Sequence, residues 1–493
     1  MRMRKNVVVL VSTSIAVVVV GALIRKWKQW KEQQLRHVKQ IIRKFARESA
    51  TPLSKLWQVA DDMVSSMKIS LASSDESPTL NMVVSNVASL PLGDEEGFFY
   101  GVSLYGRNLL MLCARLGGKK KPISALQRQD ISIPDAVLAG PSLEITDYIA
   151  TEIAKFVSMH PEIEIEDSEP VENKKFGFTL SYPVHQAMPF SDTASQHKNA
   201  NNPVRQGMVK DLNRALATHG MTMPVVSLVD ETIGGLAGGR YYNRESVAAV
   251  TLGTTTNAAY VEPAEEVASD SAQFPNSSEL VISMEWGNFN SLRLPLTSYD
   301  ASVDAESSNP GSQVFEKLIS GKYLGEVVRH VLLKLAKETA LFGSTVPPKL
   351  MIPYLIRPSD MAAMHQDTSE DREIVGEKLG EIFEIHNCCP MAREAVAEVC
   401  DIVAERGARL AGAGIVGIIK KLGRIKDRKS VVTVEGELYE HYRIFRNYLH
   451  SSVWQMLGKD FSDNVIIEHS HGGSGTGALF LAAAQTQAHH SDY

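Results

Sequence analysis

The sequence predicts an α/β protein of two lobes, and two observations carry this prediction. The first is length, because a chain of 493 residues is longer than one hydrophobic core normally extends. The second is the alternation of short strand-like runs with longer helical patterns, which is typical of α/β chains. Hydrophobic residues make up 44% and charged residues 22% of the chain, and both values are typical of globular proteins.

The charge of the chain is divided unevenly. Residues 1–50 contain 12 Lys and Arg against 2 Glu, a local charge of +10, whereas the remainder contains 39 basic and 55 acidic residues and has a charge of −16. A basic amino-terminal segment followed by an acidic remainder indicates a membrane-surface segment joined to a soluble domain. It argues against nucleic acid as a partner. The four cysteines lack metal-type spacing, which predicts free thiols in a reducing compartment.

An uncharged run of 18 residues, Val7–Ile24, lies near the amino terminus between basic flanks. Its length suits a transmembrane helix, which needs about 17–25 residues. The run ends without a small-residue cleavage site, so we expect an uncleaved membrane anchor within residues 1–30 rather than a signal peptide. Trp27 and Trp30 follow where interfacial aromatic residues usually lie.

Apolar residues at spacings of three or four continue beyond this run among basic residues: Leu35, Val38, Ile42 and Phe45. The pattern predicts a basic amphipathic helix. Two placements of that helix stay open, either on the membrane surface or packed by its apolar stripe on the soluble domain. We therefore expect basic amphipathic and connecting helices over residues 31–90.

Strand and helix patterns then follow one another along the soluble part. Strands at 98–103 and 109–114, joined by the turn Tyr105–Asn108, predict a hairpin, and the apolar spacing from Ile145 to Val157 predicts a helix. Further strands are expected at 246–253, 279–284, 431–434 and 465–468, and helices at 312–341, 371–385, 390–421 and 440–458. The polar segments 161–175 and 187–203 are expected to be surface loops.

The most specific signal lies in residues 227–240, Ser-Leu-Val-Asp-Glu-Thr-Ile-Gly-Gly-Leu-Ala-Gly-Gly-Arg. This segment resembles the catalytic segment of hexokinases, L-V-N-D-T-V-G-x-L-A-G-G, whose aspartate is the general base that takes the proton from the sugar hydroxyl. Here Asp230 stands at the asparagine position and Glu231 at the base position. From Leu90 onward the chain is similar to plant hexokinases, and its amino-terminal run resembles the anchor of their membrane-bound class.

The resemblance implies a two-lobed actin-like ATPase fold, the hexokinase fold, behind an N-terminal transmembrane anchor. It implies a small lobe over residues 91–230, completed by a carboxyl-terminal segment of about 460–493. The large lobe is then expected over residues 231–459.

The same resemblance implies a hexose site that is partly retained. Ser181, Asn257, Glu285 and Glu316 match the family's sugar-binding serine, asparagine and two glutamates. Carboxylates and amides of this kind recognise hydroxyl groups because leaving one unpaired is costly. The family's W-T-K-G-F segment, whose threonine and lysine close over the sugar, has no counterpart before Val209.

The nucleotide-binding segments depart further from the family pattern. The family hairpin has the sequence D-L-G-G-T-N-F-R, whereas residues 103–110 are Ser-Leu-Tyr-Gly-Arg-Asn-Leu-Leu. Arg107 replaces the phosphate-contacting threonine and either binds an anion directly or blocks the usual nucleotide pose. Residues 434–439, Val-Glu-Gly-Glu-Leu-Tyr, replace the family's D-G-G. The resemblance provides no metal ligand. It still implies that nucleotide is contacted by a small set of residues, namely Gly106, Asn108, Thr254, Gly473, Ser474 and Gly475.

These departures predict a hexokinase-like protein that binds hexose and acts as a regulator or scaffold at a membrane, with impaired ATP-dependent phosphorylation. One alternative is an active hexokinase that uses ATP and Mg²⁺ to phosphorylate glucose and fructose at the 6-hydroxyl. Another is a membrane-tethered structural module that binds neither ligand. The resemblance favours a cytosolic body, on the mitochondrial outer membrane first and the plastid envelope second. The sequence identifies no protein partner.

Overall fold

The computed structural model describes residues 2–72, 80, 82–87, 89–105, 107–161, 176–180, 203–221, 225–267 and 278–488. The predicted loops at 161–175 and 187–203 lie almost entirely outside these residues. The helices are α1 (Arg2–Ser49), α2 (Leu53–Ala72), α3 (Asp135–Leu138), α4 (Ser142–Met159), α5 (Pro203–Thr218), α6 (Glu231–Tyr242), α7 (Ser298–Glu306), α8 (Val314–Ile319), α9 (Gly321–Thr339), α10 (Pro358–Gln366), α11 (Glu373–Phe383), α12 (Pro390–Lys421), α13 (Glu437–Glu440), α14 (Arg443–Phe461) and α15 (Gly473–Ala488). The strands are β1 (Val83–Val84), β2 (Glu96–Tyr105), β3 (Asn108–Gly117), β4 (Lys121–Ser132), β5 (Phe176–Leu180), β6 (Val225–Asp230), β7 (Ser246–Leu252), β8 (Thr256–Pro263), β9 (Glu279–Ser283), β10 (Ser430–Glu435) and β11 (Val465–His469).

The chain divides into two compact units, which are described separately. The first comprises residues 1–50, 295–303 and 325–404 and is built from helices. The second comprises residues 51–294, 304–324 and 405–493 and contains both β-sheets. All the candidate site residues that the structure describes belong to this second unit.

Within the first unit, helix α1 packs through its apolar stripe. Val38, Ile42 and Phe45 are buried, and the Phe45 ring meets the Tyr299 ring edge-on with centroids 5.2 Å apart. The basic side chains between these positions stay exposed. Of the two placements that the sequence left open for this stripe, the structure therefore shows packing on the body for residues 38–45.

Helix α1 begins at Arg2 and continues to Ser49. The predicted anchor, Val7–Ile24, lies within it, but its side chains are outside the part of the chain that the structure describes. Among the helical residues that are described, none forms a segment long and apolar enough to cross a membrane. The anchor therefore stays a prediction.

The five-stranded sheet of the second unit has the order β4-β3-β2-β5-β6. Strands β2 and β3 form the predicted hairpin, in which Tyr105 pairs with Asn108. Strands β5 and β6 add to it in parallel, and Leu180 pairs with Asp230. Helix α4 buries its apolar face against this sheet, as its apolar spacing predicts. The sheet thereby places the end of β6 beside the end of β5.

The six-stranded sheet has the order β1-β9-β8-β7-β10-β11. Strands β7, β10 and β11 are parallel, and β8 and β9 continue the sheet in antiparallel pairing. The residues of β7 are all buried, which is typical of a strand covered on both faces. The four further strands predicted from sequence correspond to β7, β9, β10 and β11. Strands β1, β4, β5, β6 and β8 were not predicted.

Helices α6 and α15 cross at glycines. A Cβ atom on Gly477 would lie 1.7 Å from the carbonyl oxygen of Gly234, and one on Gly177 of β5 would lie 1.7 Å from that of Ala478. Helix α15 therefore packs backbone to backbone against α6 and β5, which only glycine permits. Strand β11, although within the segment 460–493 expected to complete the small lobe, is hydrogen-bonded into the six-stranded sheet. The lobe boundaries stay a prediction.

Candidate functional site

The junction between β6 and α6 carries the two residues at the proposed catalytic positions. Asp230 ends the strand and is the N-cap of the helix, where its Oδ1 accepts a hydrogen bond from the Ile233 N–H at 3.0 Å. This is the usual role of aspartate at a helix start. Its Oδ2 is buried and has no hydrogen-bond partner. Asp230 therefore accepts hydrogen bonds and cannot supply the amide donor of the family's asparagine.

Glu231 is the first residue of α6. Burial of its carboxyl group, together with the neighbouring charge of Asp230, raises the pKa of Glu231 to about 7. At neutral pH roughly half of the molecules therefore hold this group ionised. A general base with a pKa near the working pH is chemically competent, so its position rather than its protonation distinguishes this site from an aspartate site.

Three threonines connect this junction to the six-stranded sheet. Thr232 Oγ1 lies 2.9 Å from Thr251 Oγ1 of β7. Thr256 Oγ1 donates to the Thr251 carbonyl at 2.8 Å and accepts from Trp286 Nε1 at 2.9 Å. Thr251 in turn pairs with Asn257 across β7 and β8. The catalytic positions and the predicted sugar residues thus share one hydrogen-bonded framework.

The predicted sugar residues Asn257, Glu285 and Glu316 come from β8, the turn after β9, and α8. Asn257 Nδ2 donates to Ser283 Oγ at 3.2 Å, which fixes the amide plane. Glu285 has a left-handed backbone conformation with φ 48°, a strained geometry that is concentrated at functional sites. The fourth predicted residue, Ser181, lies outside the described residues.

Glu316 has an unmet hydrogen-bonding capacity inside the protein. Its Oε2 accepts from the Thr256 N–H at 3.2 Å, and its Oε1 is buried without a partner. Burial raises the pKa of Glu316 to about 8. The Ser320 hydroxyl, the Thr256 N–H and the charge of Lys322 act in the opposite direction and lower it. Gly287 leaves room for the Glu316 carboxyl group because it has no side chain. A Cβ atom at Gly287 would lie 2.9 Å from Glu316 Oε2. A buried oxygen without a partner suits a ligand hydroxyl that donates to it.

The residues of the predicted phosphate hairpin bond to other parts of the protein. The Tyr105 hydroxyl donates to Asp130, and Arg107 pairs with Asp135. Asn108 Oδ1 accepts from Ser132 Oγ at 2.7 Å. Arg107 is therefore held by an acidic partner in this structure. Gly106 lies outside the described residues.

Ser103, at the position of the family's hairpin aspartate, is fully buried. Its hydroxyl lies 3.2 Å from that of Ser474, at the start of α15. Thr254, the predicted contact of the second phosphate loop, donates to Glu437 Oε1 at 2.9 Å. Of the predicted nucleotide residues, Ser474 thus approaches the hairpin strand, while Asn108 and Thr254 bond elsewhere.

Glu435 was not among the predicted site residues, although its segment departs from the family pattern. Its Oε1 lies 3.4 Å from the donor Thr251 Oγ1. Burial and the charge of Glu231, followed by that of Glu440, raise the pKa of Glu435 well above its ordinary value. Glu231 and Glu435 are therefore two carboxyl groups with raised pKa values that interact electrostatically.

Comparison with known proteins places the chain in a family. The hexokinase family models match residues 41–241 and 247–484. Hexokinase-1 of Spinacia oleracea is 43% identical over 485 residues, covering 96% of each chain. Hexokinase-1 of Arabidopsis thaliana is 44% identical over 481 residues, again covering 96% of each. Hexokinase-2 of Oryza sativa subsp. japonica is 45% identical over 473 residues, covering 94% of each.

Solved structures give the same result for the fold. A hexokinase from Schistosoma mansoni complexed with glucose matches with a TM-score of 0.76 at 26% identity, covering 92% of this chain and 99% of that one. A second hexokinase crystal structure matches with a TM-score of 0.74 at 23% identity, covering 91% of this chain and 100% of that one. The fold is the two-lobed α/β fold of hexokinases. The chain belongs to the hexokinase family, and among its curated relatives are the plant hexokinases.

Hexokinases generally use ATP and Mg²⁺, and the residues of this chain fit that pair poorly. The position of the hairpin acid is occupied by Ser103, whose hydroxyl already pairs with the Ser474 hydroxyl at the start of α15. The side chains that the structure describes at this site therefore disagree with the family's use of nucleotide and metal.

Proposed function

We propose that this hexokinase-family chain binds hexose and acts as a regulator or scaffold, with strongly reduced ATP-dependent hexose phosphorylation. The observation that carries the proposal is Glu231 at the base position, directly after an Asp230 that is committed to capping α6. The additional methylene of glutamate displaces the carboxylate by about 1 Å relative to aspartate, and a displacement of that size can reduce a rate about 100-fold. Loss of the hairpin acid at Ser103 removes a further electrostatic contribution to phosphoryl transfer.

A coupled assay with ATP, Mg²⁺ and glucose tests this proposal. The purified protein should turn over at least about 1,000-fold more slowly than Hexokinase-1 of Arabidopsis thaliana, because a misplaced base and a lost acid act on the same step. The double variant Asp230→Asn, Glu231→Asp restores the family residues and should regain at least about tenfold in rate. A wild-type turnover within tenfold of the active relative would overturn the proposal.

The alternative is an active hexokinase that phosphorylates glucose and fructose at the 6-hydroxyl. Its support is the 43–45% identity to proteins named hexokinases over nearly the full chain. Glu231 also supports this alternative, because a carboxyl group with a pKa of about 7 can act as a base at neutral pH. The same coupled assay decides between the two functions.

Hexose binding rests on the group formed by Asn257, Glu285 and Glu316. The partnerless Oε1 of Glu316 is the atom with which a sugar hydroxyl would form a hydrogen bond. Calorimetric titration with glucose should give weak binding, since the closing lysine segment of the family is absent. Glu285→Gln should weaken it by about tenfold, the effect of losing a hydrogen bond to a charged acceptor. The exposed Glu377 on α11 provides the control Glu377→Gln, and an unchanged affinity in Glu285→Gln would show that the site is misassigned.

We further propose that Val7–Ile24 anchors the protein in a membrane with its body in the cytosol. The support is the uncharged run with basic flanks. Its resemblance to the anchor of membrane-bound plant hexokinases makes the mitochondrial outer membrane the first choice and the plastid envelope the second. Deleting residues 1–30 should release the protein into the soluble fraction. Alkaline carbonate should leave the full chain in the membrane fraction, whereas release of the full chain by carbonate would exclude a spanning anchor.

A further inference from the structure

Helix α8, which contributes Glu316 to the candidate sugar site, is only six residues long (Val314–Ile319). A helix of this length is not stable in isolation, so contacts with the rest of the fold must fix it. Successive residues of a helix are about 100° apart around its axis, so Phe315 and Lys317 flank Glu316 on its two sides. Both flanking side chains are buried. The direction of Glu316 therefore depends on what these two side chains contact.

On one side of α8, the ring of Phe315 packs edge-on against two other aromatic rings. Its centroid lies 5.6 Å from that of Trp286 and 5.6 Å from that of Phe289. The Phe315 backbone N–H also donates to the Phe289 carbonyl oxygen at 3.2 Å. Edge-on aromatic packing of this kind is favourable, so this side of the helix has an apolar support.

On the other side of α8, Lys317 carries a buried ammonium group. Its side chain is 6% exposed. Its Nζ donates to Asp304 Oδ1 at 2.6 Å and to the carbonyl oxygens of Asn309 and Ser312 at 2.8 and 2.9 Å. An ammonium group has three donors, so all of them are used inside the protein. Lys317 therefore supports its own chain and is not a sugar or phosphate ligand.

The acceptors of Lys317 all belong to the segment 304–312, which leads into α8. Both carboxylate oxygens of Asp304 also accept from the Gly311 N–H, at 3.0 Å each. The segment is followed by Gln313, whose φ of 52° lies in the left-handed region. Side chains rarely adopt that conformation, and it persists only where the surroundings fix it. The ammonium group thus holds the turn from which α8 begins.

We propose that Lys317 is a positioning residue for hexose binding, because it fixes the segment 304–312 and thereby directs the Glu316 carboxyl group at the sugar. The proposal rests on the proposed function, since it takes Glu316 as a hexose contact. Loss of the ammonium group leaves the apolar support of Phe315 in place but releases the start of α8. The Glu316 carboxyl group then loses its fixed position beside the Thr256 N–H.

The first test is calorimetric titration of the full chain with glucose. Lys317→Met removes the ammonium group and keeps a long side chain, and it should weaken glucose binding by at least about tenfold. Lys337→Met, at an exposed lysine of α9, is the control and should bind glucose as wild type does. The double variant Asp304→Asn, Lys317→Met removes both charges, so it leaves no buried ion unpaired. It should show the same loss, and it keeps the test decisive if Lys317→Met does not fold.

A double-mutant cycle separates positioning of Glu316 from a general loss of structure. In the background Glu316→Ala no carboxyl group is left to position, so Lys317→Met should weaken glucose binding by less than about twofold more. In the background Ser283→Ala, which acts on Asn257, the two losses should multiply. Losses that multiply in both backgrounds would overturn the inference.

Hydrogen exchange of the unliganded chain gives a readout that does not depend on glucose. Peptides covering residues 304–317 should exchange faster in Lys317→Met than in wild type, whereas α12 should exchange as in wild type. If wild type binds no glucose, hexose binding is refuted, and with it the role of Lys317. If wild type binds glucose and Lys317→Met matches it in affinity and in exchange, the inference alone is refuted.

Discussion

Glu316 should make the stability of the protein depend on pH. Its side chain is 4% exposed, and burial raises its pKa from 4.5 to about 8. Because the pKa is higher in the folded state, that state holds the proton more tightly than the unfolded chain. The resulting stabilisation is complete below about pH 4.5 and is lost as the pH rises through about 8. Within this window each pH unit lowers the free energy of unfolding by about 1.4 kcal/mol.

The variant Glu316→Gln removes the titrating group and keeps its size. Between pH 5 and pH 7 the free energy of unfolding of wild type should fall by roughly 3 kcal/mol more than that of the variant. Urea denaturation followed at several pH values measures the difference. Glu231 and Glu435 remain in the variant, so some dependence persists, and Glu377→Gln should reproduce wild type. Parallel pH profiles for wild type and Glu316→Gln would refute the reasoning.

Further predictions concern packing and the sugar site. Gly477→Ala should destabilise the protein by about 3 kcal/mol or prevent folding. Gly207→Ala in α5 is the control, because a Cβ atom there would meet nothing within 4 Å. This control should leave the thermal midpoint unchanged or raise it. Equal midpoints for the two variants would contradict the backbone contact of α6 with α15. Phe45→Ala should cost about 3–5 kcal/mol in denaturant unfolding, and a loss below about 1 kcal/mol would contradict the packing of α1. Ser283→Ala removes the acceptor of Asn257 Nδ2 and should weaken glucose binding by about fivefold in calorimetry; unchanged binding would show that the orientation of this amide does not matter.

The sequence predicted elements whose local pattern is strong. The turn Tyr105–Asn108 between two apolar runs predicted the hairpin, and its register pairs these two residues. Strand β4 was missed because it lies at the edge of its sheet and is largely exposed, so no apolar alternation marks it. Strand β8 was missed because only Asn257 was singled out in this stretch, as a sugar-binding residue, although all but the last residue of the strand are buried.

The site was predictable where it lies in continuous motifs. Asp230 and Glu231 were assigned from one segment, and the structure places them together at one helix start. The approach of Glu435 to Gly473, where a Cβ atom would lie 3.8 Å from Oε2, brings together two distant elements. No local pattern specifies such a contact, because it depends on how β10 and α15 are brought together by the fold. The resemblance assigned residues 473–475 to nucleotide, but the sequence did not show that the side chain of Glu435 lies beside them.

Helix α1 has a mechanical consequence if Val7–Ile24 spans a bilayer as proposed. The helix continues from Arg2 to Ser49, and its first fully buried side chain among the described residues is Val38. At about 1.5 Å per residue, the stretch from Ile24 to Val38 is about 20 Å long. The helix would then be a rigid spacer that holds the body at a fixed distance from the lipid. Rotation of this helical strut about its axis would turn the body with it. A helical strut transmits torque and tilt that a flexible linker would absorb, so the anchor would orient the protein on the membrane as well as hold it there.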